Sequence, residues 1–408
     1  MGTEGLNDAR IADWIHRVET ERERSARPRD FPELPEISAA RYNDSAHFAL
    51  ERAHFWSRMW LYAAHIDQLA EPGSYLVWNH GSAPILIIRG DDDKIRAFYN
   101  TCQHRGAPVA RTANGVAGKL LVCGYHGWSY DRQGKLRTVT EPRDWHDVKS
   151  RCDGLVEIRC ELFGNWVFIN EYRDAEPLDV FLTPVARFLT HLPLNDLRLV
   201  HRSETEVSCN VKILIDNFLE AYHFKMLHPE TTDKIFDSAG TNIHLWDNGH
   251  SMMLSPNRSR DWVDPGTRGM PEMAGSTEIE QYYNPSYCLF PNLIIPIAPT
   301  GMPCVAMWPK TVRTSALEVL WFAPDWGDGP RDPLWDRRIE NFDRIVAEDI
   351  QFAEPMQKTI ESPGFQRVPL SFQERRIYHW HEEVDRRIGA DKISPELRVI
   401  PTLSDFVE

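Results

Sequence analysis

The 408-residue chain is long enough for two domains or one large one, and 42% apolar with 26% charged residues is ordinary for a globular protein. A formal net charge of −14 argues against general nucleic-acid binding, which needs a basic surface. No apolar run reaches the eighteen or more residues of a membrane helix, and the opening MGTEGLNDAR has an early acid and no apolar leader segment, so a cytoplasmic protein off the membrane is expected. The seven cysteines (102, 123, 152, 160, 209, 288, 304) are then expected as thiols or metal ligands rather than disulfides.

Residues 1–60 are expected to form a charged, Pro-containing arm without its own core, followed by a helix over 44–60, where apolar residues at 48, 55, 56, 59 and 60 keep helical spacing. From 61 to 172 the texture turns to short β-rich runs, YLVWN, PILIIR, IRAFYN, KLLVC, GLVEIRCEL and NWVFIN. Turn signals such as NHGSAP, GDDDK and DRQGK separate them, which predicts a small antiparallel β domain. Residues 173–408 alternate. A strand is predicted over RLVHRSETEVSCN, a helix over KILIDNFLEAYHFKMLH and further strands within 286–324. A long helix over 332–360 and an amphipathic one over 372–388 complete an α+β domain with an antiparallel sheet.

Two loops of the β domain carry the first candidate site. Cys102 and His104 sit in TCQHRG after IRAFYN, and Cys123 and His126 sit in CGYHGW after KLLVC. Zinc sites usually group Cys with Cys and His with His. One thiol and one imidazole per loop suits instead a [2Fe–2S] centre in which two His replace two Cys on one iron. Zinc, or unrelated core cysteines and loop histidines, are the competing readings. Gly106 and Gly127 would let backbone approach the cluster. The C-x-H-R-G and C-x-Y-H-G-W pair resembles the Rieske iron–sulfur proteins. The resemblance implies Cys102 and Cys123 on one iron and His104 and His126 on the other.

The second candidate site lies in DNFLEAYHFKMLHP. On a helix, Val211, Leu214, Ile215, Phe218 and Tyr222 form an apolar stripe, with Lys212, Asp216, Glu220 and His223 opposite. Taken alone, that polar face reads as solvated. His228 precedes Pro229, however, so the helix must end or distort there and can swing His228 towards His223. In the late helix, Phe342, Val346, Ala353 and Met356 mark an apolar face with Asp349 in its gap. A buried carboxylate needs a partner or a metal. Glu348, a quarter turn away near Arg344, reads as a surface ion pair, and Pro355 should kink or end the helix.

Two His and one carboxylate with open positions is the ligand set of non-haem Fe(II) oxygenases. The E-x-x-H-x-x-x-x-H-P run, with the cluster motif before it and the E-D helix after it, resembles Rieske non-haem iron oxygenase catalytic subunits over roughly 45–385. The resemblance implies His223, His228 and Asp349 as iron ligands and Glu220 as an acid bridging to the cluster of a neighbouring subunit. Most ring-hydroxylating relatives carry Asp at the bridge, and Glu is the choice in some that oxidise quaternary ammonium compounds. Asp216, one turn earlier, is the alternative bridge.

The implied activity is a terminal oxygenase that hydroxylates, dihydroxylates or oxidatively dealkylates a small organic substrate with O₂. The apolar and aromatic residues Leu219, Phe224, Leu227 and the strands at 286–307 favour an aromatic substrate, with a quaternary ammonium or N-methyl amine as the alternative. A Rieske electron-transfer protein is the reading from outside enzymology. The chain has no G-x-G-x-x-G fingerprint, so electrons from NAD(P)H are expected through a separate reductase, with or without a ferredoxin. Six basic residues against one acid between 102 and 137, a local +5, offer a docking surface. The family implies a head-to-tail homotrimer, with or without a small second subunit. His379 and His381, two apart on an expected helix, point different ways and do not read as a metal pair.

Overall fold

The computed structural model describes residues 5–262, 267 and 269–408; the first four residues of the N-terminal arm lie outside it. Two compact units emerge: residues 52–178, and residues 1–51 together with 179–408.

The smaller unit is built on an antiparallel sheet that, among the described residues, has seven strands. They run in the order Leu61–His65, Trp166–Asn170, Glu157–Phe163, Ile95–Tyr99, Ile85–Arg89, Ser74–Trp78 and Asn114–Val116. A three-stranded sheet, Leu120–Val122, Ser129–Asp131 and Leu136–Thr138, completes it. The apolar runs of the sequence supply the core: Leu86, Ile88 and Phe98 pack in one cluster with Cys102, Cys123, Trp128 and Tyr130.

The larger unit is an α+β fold around a second antiparallel sheet, which has seven strands among the described residues. Its order is Leu197–Val207, Thr314–Pro324, Met302–Thr311, Leu293–Pro296, Tyr283–Leu289, Ser251–Pro256 and Asn242–Leu245. Cys209, Cys288 and Cys304 are buried in or beside these strands. The 27-residue helix Leu334–Ile360 runs through Pro355 rather than ending there. The amphipathic helix Arg375–Ile388 buries both His379 and His381. His379 Nε2 lies 3.0 Å from the Trp246 carbonyl, and His381 Nε2 lies 3.2 Å from the Tyr42 hydroxyl.

The N-terminal segment, expected to have no core of its own, joins that of the larger unit: helix Asp8–Glu23 buries Trp14 and Val18, and the Trp14 ring sits 5.3 Å from Phe188 and 5.0 Å from His244. One expectation changes. The face of Lys212 is not solvated. Its ammonium is fully buried on both carboxylate oxygens of Glu51, at 2.7 and 2.9 Å. Burial opposes the Glu51 charge, but Lys212 and His47 outweigh it and hold the carboxyl well below its usual range. Periodicity along one helix cannot announce a counter-ion arriving from 161 residues away.

Candidate metal centres

The two cluster loops are built alike. In each, the Cys backbone N–H donates to a carbonyl five residues on, Cys102 to Ala107 (2.8 Å) and Cys123 to Trp128 (2.8 Å). In each, the Cys carbonyl accepts from the Gly four residues on, Gly106 (2.9 Å) and Gly127 (3.0 Å). Both glycines are left-handed, with φ of +77° and +72°, a conformation a side chain would strain. The loops thus bring two buried thiols together inside the core and turn two imidazoles outward, their rings 4.6 Å apart.

Trp128 stacks on His104 at 5.0 Å, and Tyr125 lies over His126 at 3.8 Å. Burial pushes the Cys102 thiol up, with neighbouring Cys123 adding to it. Hydrogen bonds from Tyr130 and the His104 backbone act the other way and favour the thiolate. The Tyr130 hydroxyl accepts from the Gln103 N–H (3.0 Å) and lies 3.2 Å from Cys102 Sγ. Burial, then His126, lowers the His104 pKa, which favours the neutral imidazole that ligation needs. Nδ1 of His126 is buried without a hydrogen-bond partner in the protein, as a metal-ligating nitrogen would be. Donor set and geometry fit a two-iron cluster. Of the basic residues expected nearby, Arg132 pairs with Asp91 (2.6 Å) and Arg137 with Asp131 (2.5 Å), which thins the local positive charge.

The second site corrects the long helix predicted over 212–228. Helix Val211–Phe218 stops, and the short helix Phe224–Leu227 begins after a break. The Glu220 carboxylate takes the backbone N–H groups of Tyr222 and His223 (3.2 Å for the latter), a local side-chain bond that competes with helix continuation. Tyr222, expected on the apolar stripe, is therefore 66% exposed. Glu220 also hydrogen-bonds His223 Nδ1. Asp216 is taken up elsewhere, by the Tyr42 hydroxyl (2.5 Å) and His381 (3.4 Å).

His223, His228 and Asp349 converge, with one ligand atom from each lying within 4.8 Å of the others. Asp349 Oδ1 is 2.9 Å from His228 Nε2 and 3.6 Å from His223 Nε2. Both imidazoles thus present Nε2 to a common point. Three donors on one side of that point fit a mononuclear metal with open positions. Burial works against a charged His228, but Asp349 and Glu348 outweigh it and raise its pKa. Glu348 is not the surface ion pair expected of it. Its Oε2 lies 2.7 Å from His228 Nδ1, and Thr231 Oγ1 donates to the same oxygen at 2.7 Å. Helical phase identified its face but not the histidine that comes to meet it.

The three donors open on a cavity of about 820 Å³. Phe218, Phe224, Phe236, Ile294, Phe342 and Ile345 give it apolar walls, and Trp262, Tyr282 and Tyr283 add aromatic faces. Among the described residues, the charged ones that line it are mainly acidic: Glu220, Asp261, Glu272, Glu280 and Asp349 against Arg260 and Arg338. Of the pocket residues expected from sequence, Phe224 and the strands near 286–303 line it, whereas Leu219, which is buried elsewhere, and Leu227 do not.

Residues 59–151 match the family model described as the Rieske [2Fe-2S] domain, and residues 194–390 match that of the ring hydroxylating alpha subunit (catalytic domain). The chain belongs to the Rieske oxygenase alpha subunits. This alpha subunit is 30% identical over 214 residues to the carnitine monooxygenase oxygenase subunit of Acinetobacter pittii, a match covering 51% of this chain and 57% of that protein. It therefore spans little more than half the length of that relative. Toluate 1,2-dioxygenase subunit alpha of Pseudomonas putida is 25% identical over 406 residues, covering 89% of this chain and 85% of that one. The family thus holds both mono- and dioxygenases.

Among solved structures, the quaternary ammonium Rieske monooxygenase CntA in complex with L-carnitine superposes with a TM-score of 0.72 at 22% identity, over 89% of this chain and 99% of that one. Naphthalene 1,2-dioxygenase from Rhodococcus sp. bound to indole gives 0.71 at 19%, over 88% and 95%. Both establish that this alpha subunit has the Rieske oxygenase fold. No helix among the described residues is long and apolar enough to cross a membrane.

Proposed function

We propose that this chain is the terminal oxygenase component of a system that inserts oxygen from O₂ into a small organic molecule. The balanced overall reaction is substrate C–H + O₂ + NAD(P)H + H⁺ → C–OH + H₂O + NAD(P)⁺. The observation that carries the proposal is the convergence of His223, His228 and Asp349 on the wall of a largely apolar cavity in a chain that also bears the twin Cys/His loops. An electron carrier alone has no use for that second donor set.

In this reading residues 61–172 form the cluster domain, and residues 173–408, with the N-terminal segment folded onto them, form the catalytic domain. Cys102, Cys123, His104 and His126 hold a [2Fe–2S] cluster; His223, His228 and Asp349 hold a mononuclear iron. When bound, these groups supply one-electron transfer and O₂ activation respectively. The protein's part is positional. Glu220 fixes His223 through Nδ1, so that Nε2 faces the cavity. Phe224, Phe342 and Ile345 exclude water around that point and hold the substrate's apolar part against it.

We favour a quaternary ammonium or N-methylated amine as substrate. The support is the acidic balance of the cavity wall, its aromatic faces, which suit a cation, Glu rather than Asp at position 220, and the carnitine and glycine betaine oxygenase subunits among the relatives. An aromatic substrate is the second reading, favoured by the longer match to the toluate enzyme.

A separate reductase, with or without a ferredoxin, delivers the electrons, and the chain works in the cytoplasm, in keeping with seven cysteines all free of disulfides. We further propose a head-to-tail homotrimer in which Glu220 links His223 to His126 of the adjacent copy. Exposed apolar side chains surround both centres: Val116, Val122 and Tyr125 near the cluster loops, and Tyr222, Met226 (86% exposed) and Phe352 near the second site. Patches of this kind mark protein contacts.

The test is a panel of quaternary amines and aromatic acids with a surrogate reductase, scored by O₂ uptake and product mass, together with iron analysis. Three irons per chain, two in the cluster and one mononuclear, are expected. Two irons with no O₂ uptake on any substrate would leave only an electron carrier.

A further inference from the structure

Two consecutive carboxylates of helix Leu334–Ile360 grip one imidazole from opposite ends. Asp349 Oδ1 meets His228 Nε2 at 2.9 Å, while Glu348 Oε2 meets His228 Nδ1 at 2.7 Å. Successive helix residues point about 100° apart, so one side chain can lie in front of the ring and the other behind it. Glu348 is held in turn. Thr231, in the turn after Pro229, donates its hydroxyl to the same Oε2 at 2.7 Å, and the Thr231 backbone N–H returns to the His228 carbonyl at 3.2 Å. Glu348 does not line the cavity, whereas Asp349 does.

We infer that Glu348 is a positioning residue for the metal centre: by accepting the Nδ1 proton of His228 it fixes the tautomer whose Nε2 lone pair faces the metal, with Thr231 locking the carboxylate. A neutral imidazole has one N–H and one lone pair, and the nitrogen that donates decides which one can ligate. Without Glu348, the ring could place its proton on Nε2 and spend it on Asp349, which removes one ligand and occupies another. The carboxylate also sharpens the imidazole's basicity as a ligand. The site is then symmetric in design. Each histidine offers Nε2 forward and rests Nδ1 on a glutamate, Glu220 behind His223 and Glu348 behind His228. The two supports differ in setting, for Glu220 lines the cavity and Glu348 does not.

The inference rests on the reading of His228 as a metal ligand, and the experiment separates the two. The full chain, purified with its cluster, is loaded with Fe(II), and release of the mononuclear iron to a chelator is followed without substrate or reductase. The cluster spectrum and thermal midpoint serve as controls. Glu348→Ala is expected to weaken iron retention about 10- to 100-fold with an unchanged cluster spectrum. Glu348→Gln, whose amide oxygen can still accept from Nδ1–H, should recover part of the loss, and Thr231→Val should give a smaller loss than Glu348→Ala. Should Glu348→Ala fold poorly, the near-isosteric Gln variant still decides, through retention weaker than wild type. Wild-type retention in both Glu348 variants, with His228→Ala releasing its iron, overturns the positioning role. Wild-type retention in His228→Ala overturns the ligand reading itself.

Discussion

The two donor sets of this chain are assembled in opposite ways. The cluster loops draw all four donors from residues 102–126, each loop repeating one pattern of backbone hydrogen bonds around a left-handed glycine. The cavity site joins a broken helix to residues 120 and 121 positions further along the chain. The first buries its thiols and leaves its imidazoles half-buried at the loop tips; the second buries His228 and Asp349 and lines a cavity. An electron entering or leaving needs a short path to the surface, whereas oxygen chemistry needs water kept away. Local sequence can specify the former by itself, but the latter needs the whole unit folded.

The largest effect that would test this contrast is loss of a buried thiolate. Cys123→Ser is expected to abolish the cluster and its visible absorption and to loosen the core built around Leu86, Phe98 and Trp128, while the larger unit keeps its mononuclear iron. A full Rieske spectrum in this variant would end the cluster assignment. Next comes Asp349→Ala. It should keep the cluster spectrum, lose the mononuclear iron and cut turnover by on the order of a hundredfold or more, as measured by metal analysis and product formation.

A smaller and more selective effect is expected of Glu220→Gln. Both metals should remain and the cluster should still accept electrons, but product formation should fall about 10- to 100-fold, because an amide cannot supply the charge that polarises His223. Cluster reoxidation in a single turnover reports it, and reoxidation at the wild-type rate would remove the bridge.

The last predicted effect is on stability rather than activity; it is graded in pH and belongs to the larger unit. His250 is buried, with Nδ1 accepting from the Phe290 N–H (3.1 Å) and Nε2 donating to the Phe181 carbonyl (2.9 Å), an arrangement that requires the neutral ring. Burial lowers its pKa to about 4. Between pH 6.5 and 4 the unfolded chain therefore binds a proton the folded chain refuses, so stability falls as pH falls through that window, by about 3 kcal/mol in all. Denaturant unfolding of wild type and His250→Gln from pH 7 to 4 should show the variant's slope flattened by about one proton.

Much of this was legible in the sequence, for reasons that differ by residue. The cluster strands and loops were readable because their pattern is contiguous. Asp349 stood out as a charge in an apolar gap, and the structure buries it on the expected helix. The break after Phe218 was not readable, because a carboxylate taking the N–H groups of Tyr222 and His223 leaves no trace in hydrophobic spacing. Glu348 and Lys212 were misread for a shared reason. Each looked like a solvated charge on its own helix, and the partner that decides its role, His228 or Glu51, comes from more than a hundred residues away.

The burial of Lys212 against Glu51 also bears on how the chain is made. The smaller unit is one continuous stretch, 52–178, and can close as soon as it clears the ribosome. The first 51 residues emerge earlier yet belong to the last unit to be completed, so Trp14, Tyr42 and Glu51 must wait for residues 179–408 before their partners exist. Translation order and assembly order are therefore inverted at the N-terminus. A chain that ends between residues 178 and 212 holds every residue of the smaller unit but not the lysine that pairs with Glu51.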